Sequence, residues 1–296
     1  MPLNDTMTLA RAPAHGSAAS SPADSQTPDA DVSFFESRDT RNKLFHMYRD
    51  YFDLAEKKRR WSVRDDIPWD QCNPNLDPAI ADIVQTFCMV ELYLPDYLSK
   101  LIPQVRANHG RAWMLANWGY EESKHSMAFA DWLMRSGART EEEMVDIEDD
   151  VFAQEWELPY DNARAMVIYT MVQELSTQLH YRNLRHVLNG RDPALDKALL
   201  LVSTDEAAHA DFFRKMVELY LQEDRAASLE QMRRVFNSFK MPAVHLFIDG
   251  RQRTEAIKSK RVFDEDIFIA EVYEPLLHRL GLTKADLRRK KMHRTR

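Results

Sequence analysis

The chain is poor in glycine and cysteine and has no long uncharged apolar run. Seven glycines in 296 residues leave few sites for the tight turns of a hairpin-rich sheet, and strand-like alternation is nearly absent. Two cysteines, Cys72 and Cys88, are too few for a disulfide framework and suit a reducing compartment. No run of about 18 uncharged apolar residues occurs, so a membrane-spanning helix is not expected. The formal net charge of -7 argues against general nucleic-acid binding, although clustered basic residues leave a local anionic docking surface possible. What is present is apolar material enough for one large core, 44% of residues.

Residues 1–32 are rich in Ala, Ser, Pro and Asp and cannot bury enough apolar surface to order themselves, so a disordered tail is expected. Asp5, Asp24, Asp29 and Asp31 fit neither a secretion signal nor an organelle transit peptide, which favours a cytoplasmic setting. Residues 286–296 contain the basic run RRKKMHRTR and read as a solvated tail. Residues 33–285 read as a single domain.

Within it, apolar residues recur at intervals of three and four, which predicts an all-α chain. Helices are expected at about 38–58, 78–101, 110–136, 160–188, 193–222 and 226–238, with further helical segments at about 252–276 and 283–291. Gly137 and Asn189-Gly190 supply stops, and Pro193 suits a first turn. The acidic stretch EEEMVDIEDD, 141–150, reads as a loop or a short solvated helix. Helices of about 23 to 30 residues are about 35 to 45 Å long, the dimension of a bundle.

Two of these helices carry the same unusual pair inside apolar surroundings: Glu122-x-x-His125 and Glu206-x-x-His209. Residues three apart share a helix face, so each pair aims a carboxylate and an imidazole at one spot. Each pair is preceded by a lone glutamate on its own apolar helix, Glu91 and Glu174, at nearly equal intervals. The chain therefore repeats a half-site. Such a set is the ligand pattern of ferritin-like bundles that hold two iron or two manganese ions. Four carboxylates can neutralise two divalent ions, whereas unpaired ionisable groups in a dry core are costly.

One Glu-x-x-His alone is a common accident of a solvated helix; two with matching lone glutamates are not. His46, His109, His180, His186, His245 and His278 read as surface or core residues. Met89, Phe129, Met171 and Phe212 read as core packing, with a substrate-channel lining as the alternative.

The residues resemble the soluble acyl-[acyl-carrier-protein] desaturases over roughly 40–280. Beyond the six candidate ligands, the similar features are Glu91-Leu-Tyr-Leu-Pro95-Asp-Tyr97, Trp118, Ser136-Gly137, Asp205 beside Glu206, and Met241-Pro242 leading to Asp249-Gly250-Arg251. Much of the C-terminal extension of the plant members is missing. The resemblance implies a ferritin-like bundle with a four-helix core and flanking helices. It implies an oxygen-dependent enzyme that places a cis double bond in a saturated acyl chain carried on acyl carrier protein. Two iron ions, with manganese as the alternative, would be held by Glu91, Glu122, His125, Glu174, Glu206 and His209. Thr177 matches a threonine near the oxygen site, Asp205 a carboxylate that orients a ligand histidine, and Trp61 a tryptophan on the electron-entry side. A ferredoxin-type donor and a homodimer are also implied. Both protein partners would be acidic, and Lys57-Lys58-Arg59-Arg60 and the run from Arg182 to Arg185 are candidate docking sites, against ordinary solvated helix ends. An oxygenase acting on another carrier-bound or secondary-metabolite substrate, a ferroxidase, and a metal-free scaffold remain as rivals.

Overall fold

The structure, a computed structural model, describes residues 36–288. The N-terminal tail and most of the basic C-terminal tail lie outside the described residues. Helix α1 spans Arg38–Lys58, α2 Pro78–Glu91, α3 Leu94–Val105, α4 His109–Arg135, α5 Glu141–Phe152, α6 Ala163–Leu188, α7 Pro193–Glu223 and α8 Arg225–Ser238. After them come α9, Gly250–Ser259, the single turn α10, Glu265–Ile267, a π-helical stretch, Phe268–Tyr273, and α11, Glu274–Arg279. No strand occurs among the described residues, and no described helix is long and apolar enough to cross a membrane.

Side-chain caps set the helix starts. Ser37 accepts from the Thr40 amide, Asn108 from Arg111 and Asp192 from Leu195, each satisfying a donor that the first turn leaves open. Helix α6 ends where Asn189 turns left-handed at φ 48°, a conformation asparagine tolerates. The acidic stretch is a helix, α5, closed by a reciprocal Thr140–Glu143 capping box.

Three expectations are corrected. The single helix at 78–101 is two, broken at Leu92-Tyr93. Pro95 lacks the N–H that would bond the Glu91 carbonyl, and its ring crowds that carbonyl, so the ladder stops there. The helix at 252–276 is interrupted after α9, where Arg261 takes a positive φ of 55°. The described part of 283–291 is turns rather than helix.

Helices α2, α4, α6 and α7 form the central bundle, α6 lying along α7 and α2 along α4, with α1 and α3 also against α4. Two apolar clusters fill it. One holds Met114, Trp118, Met166, Phe213 and Met216, and the other Phe87, Phe129, Trp132, Tyr181 and Leu184. The middle of each long helix, between those clusters, carries the ionisable groups.

Candidate metal centre

Glu122 and His125 lie mid-way along α4, Glu174 mid-way along α6, and Glu206 and His209 mid-way along α7, while Glu91 is the last residue of α2. All six are buried. The structure brings them together as two overlapping groups, Glu91, Glu122, His125 and Glu206, and Glu122, Glu174, Glu206 and His209. Within each group the ligand-type atoms lie within 4.8 Å of one another, and Glu122 and Glu206 belong to both.

Both imidazoles turn Nδ1 inward. His125 Nδ1 is 3.0 Å from Glu122 and 3.2 Å from Glu206, and His209 Nδ1 is 3.0 Å from Glu122 and 3.4 Å from Glu174. The outward nitrogens meet acids that cross between helices. His209 Nε2 donates to Glu121 at 2.9 Å, and His125 Nε2 lies 3.5 Å from Asp205.

A second ring of groups holds these acids. Asp205 accepts from Trp61 Nε1 at 2.7 Å and from the Arg59 guanidinium at 2.8 Å. Glu121 accepts from the Tyr51 hydroxyl at 2.5 Å and from the Arg60 guanidinium at 2.6 Å. The Lys124 ammonium sits 4.3 Å over the Trp61 ring. The Tyr181 hydroxyl donates to Glu91. Sequence reasoning named Trp61 and Asp205, and here they are bonded to each other. It missed Glu121, Tyr51 and Tyr181. Thr177 is buried one turn beyond Glu174, and no hydrogen bond ties it to the six groups. Arg59 and Arg60, expected as part of a docking cluster, turn inward onto Asp205 and Glu121, which leaves Lys57 and Lys58 exposed. Arg182 and Arg185 pair with Glu271 and Asp196.

The electrostatics are those of a site built around cations. Burial and the neighbouring carboxylates push Glu91 and Glu174 well above the usual carboxylate range. Burial opposes charge on Glu122 too, yet the two imidazoles hold its carboxyl well below that range. Burial alone would lower both histidines, but the carboxylates around His125, and Tyr51 and the carboxylates around His209, raise them well above their ordinary value. Several buried atoms still have no hydrogen-bond partner: both oxygens of Glu206, one each of Glu122 and Glu174, and His209 Nδ1. Buried polar atoms are rarely left so. Four carboxylates and two imidazoles aimed at two shared points, with orphaned lone pairs, fit two divalent cations of the iron or manganese type.

Beside α6 a cavity of about 770 Å³ opens. Phe236, Phe239, Phe247, Ile257 and Phe268 line it, with Lys240, Arg251 and Lys258 among its polar residues.

The sequence pattern of a fatty acid desaturase family matches residues 78–285. The chain belongs to that family. No curated protein matches the chain. Among solved structures it is similar to a protein assigned as the acyl-ACP desaturase DesA2 of Mycobacterium tuberculosis H37Rv, with 15% identity, 84% of this chain and 98% of the other covered, and a TM-score of 0.64. It is also similar to a variant of an R2-like ligand-binding oxidase with a Mn/Fe cofactor, at 14% identity, 81% and 93% coverage and a TM-score of 0.55. An R2-like ligand-binding oxidase from Sulfolobus acidocaldarius gives 14% identity, 82% and 92% coverage and a TM-score of 0.50. At such identities these structures establish the ferritin-like bundle and no more.

Proposed function

We propose that this member of the desaturase family is a cytoplasmic acyl-[acyl-carrier-protein] desaturase whose six central residues hold two iron ions. The observation that carries the reading is the pair of overlapping groups sharing Glu122 and Glu206. Glu91 and His125 would complete one position, Glu174 and His209 the other. The reaction removes two hydrogens from neighbouring methylenes: acyl chain, dioxygen, two electrons and two protons give a cis alkene and two waters. Bound iron supplies the activation of dioxygen that cleavage of an unactivated C–H bond needs.

The protein's own residues do the rest. Glu121 and Asp205 fix the ring orientation of His209 and His125. The two apolar clusters keep water from the layer between them. Trp61 is hydrogen-bonded to Asp205, which lies 3.5 Å from His125 Nε2, and along this line a ferredoxin-type donor would deliver electrons. Thr177, buried one turn from Glu174, would pass a proton. The aromatic cavity suits an apolar chain, and Lys240 and Arg251 in its lining, beside the acids Asp264 and Glu265, would meet an acidic carrier.

The test is metal content and product. Protein from iron-supplemented cells should hold about two irons per chain, and Glu122→Ala/Glu206→Ala close to none. With ferredoxin and oxygen, stearoyl- or palmitoyl-carrier protein should give a monounsaturated product. A folded protein with no metal after anaerobic reconstitution overturns the metal reading; metal without product from either substrate overturns the substrate reading.

A further inference from the structure

The cavity beside α6 has one polar group that the proposed chemistry leaves unused. The charged residues Lys240, Arg251 and Glu265 of its lining are exposed, so water reaches them whatever the cavity holds. His180 differs from them. It is 6% exposed and is the only buried polar side chain among the described residues of the lining. It stands on α6, the helix that carries Glu174.

The tautomer of His180 follows from its partners. Nδ1 lies 2.7 Å from the Ser176 carbonyl oxygen, and a carbonyl only accepts, so Nδ1 carries the hydrogen. Burial keeps the ring neutral, with its pKa lowered to about 4. Nε2 is therefore a bare lone pair, an acceptor and not a donor. No hydrogen bond from a described residue reaches it. Phe263 stacks on the ring at 4.1 Å, with 19° between the planes, and Phe87 meets it edge-on at 5.9 Å. These contacts fix the ring and leave the edge that carries Nε2 unsealed, lining the cavity. The direction of the lone pair is thus set before a ligand arrives.

We propose that His180 is a specificity-determining residue whose Nε2 accepts a hydrogen bond from an N–H or O–H group of the ligand that fills the cavity. This rests on the acyl-thioester reading above for the class of ligand, and adds that the ligand is not plain hydrocarbon where it passes His180. A purely apolar segment lying there would shut Nε2 off from water and offer it no donor, and a buried acceptor left so costs affinity. A segment with one donor at that point gains a bond in a dry, aromatic surround, where such bonds are strong. Sites of this kind reject analogues that lack the matching group.

The half-buried polar groups of the lining are already engaged. Lys258 donates to Glu265 at 2.7 Å, the Thr254 hydroxyl to the Gly250 carbonyl at 2.9 Å, and Asp264 accepts from the Ile267 amide at 2.8 Å. Nε2 is left as the acceptor at the inner end. Along α6 it is about 9 Å from Glu174 at 1.5 Å per residue, so a chain whose methylenes react at the cage passes His180 with the part nearer its thioester. That part offers a donor in two places: the amide N–H of the arm that bears the thiol, and a hydroxyl on the acyl chain close to the thioester carbonyl. The shared chemistry is one donor on an otherwise apolar ligand, whose remaining length packs against rings such as Phe239 and Phe268, stacked at 5.5 Å.

The experiment is equilibrium binding to the metal-loaded full chain, without oxygen or reductant, so that no turnover intervenes. Four ligands form two pairs. The first pair is the N-acetylcysteamine thioester of dodecanoic acid and its N-methylated counterpart, which lacks the N–H. The second is the S-ethyl thioester of β-hydroxydodecanoic acid and that of dodecanoic acid. In at least one pair the member with the donor should bind about 10-fold tighter; a gain in the first pair assigns the donor to the arm, in the second to the chain. That comparison needs no variant. In His180→Phe, which keeps the ring stacking, and in His180→Leu the gain should vanish, with helicity and metal content unchanged. Equal affinities within both pairs, or a gain that persists in the variants, overturn the proposal and leave the acyl reading standing. Failure of all four ligands to bind overturns both.

Discussion

His209 on α7 donates its outer ring N–H to Glu121 on α4, Nε2 to Oε2 at 2.9 Å, rather than to Asp205, the acid four residues before it on its own helix. His125 on α4 in turn has its outer nitrogen against Asp205 of α7, at 3.5 Å. Each half-site therefore takes the acid that orients its histidine from the other half. A single helical hairpin with one lone glutamate and one Glu-x-x-His could not orient its own imidazole in this way.

This exchange predicts how the centre weakens. Glu121→Gln and Asp205→Asn keep the side-chain volume and remove the charge that fixes each ring, and such outer partners are worth about 10- to 100-fold in metal affinity. Competition titration with a chromophoric chelator should show that loss in both variants. Unchanged affinity in both would mean that the acids do not orient the rings.

His180 supplies a pH test away from the six groups. Burial between the Phe87 and Phe263 rings lowers its pKa from 6.5 to about 4, so the native imidazole is neutral. Below pH 6.5 the unfolded chain takes up a proton that the native state does not, and stability falls until about pH 4. Between pH 7 and 5 this group alone should remove about 2 kcal/mol. Urea unfolding at both values should show that His180→Gln loses less stability than the unmutated chain by about this amount. Equal losses would sink the assignment.

Asp192 is fully buried and holds three elements. It caps α7 through the Leu195 amide at 2.7 Å, accepts from Trp132 Nε1 at 2.9 Å, and accepts from the Asn73 amide at 2.9 Å. Asp192→Ala should cost about 2 to 4 kcal/mol, a lost cap plus a buried indole N–H without a partner. Thermal unfolding checks this. A shift of under about 1 °C would show that other groups take over these roles.

The six central residues were legible because a charged residue inside an apolar helical repeat has few meanings, and here the oddity occurs twice at matching intervals. The outer groups were not, since Arg59 and Asp205 meet across 146 positions and Tyr51 and Glu121 across 70. A signal for Glu121 was nevertheless present: Glu121-Glu122 and Asp205-Glu206 repeat an acid before each paired glutamate. The inward turn of Arg59 and Arg60 was hidden by their neighbours Lys57 and Lys58, which make the run look uniformly solvated. Pro95 announced the break after Glu91, but the unbroken apolar pattern on either side masked it. Arg261 gave no such warning, because a left-handed residue there is not a glycine.

Gly110 offers a packing test. A Cβ there would meet the Phe45 Cα and amide nitrogen at 2.8 Å, backbone atoms of α1 that cannot rotate away. Alanine improves helix propensity by about 1 kcal/mol, yet overpacking of this kind costs about 1 to 3 kcal/mol. Gly110→Ala should therefore destabilise the fold on balance, with chemical denaturation as the measure. A gain in stability would show that α1 moves aside freely.

The break at Pro95 gives the centre a mechanical asymmetry. Five of the six carboxylate and imidazole arms spring from unbroken helical ladders, fixed on both sides by hydrogen-bonded turns. The sixth, Glu91, stands on the last turn of its helix, with its carbonyl freed by the proline and its carboxylate steadied by the Tyr181 hydroxyl. Compliance in an otherwise stiff cage is thereby concentrated in one arm, and a change in the size or charge of what the cage holds would be taken up there first.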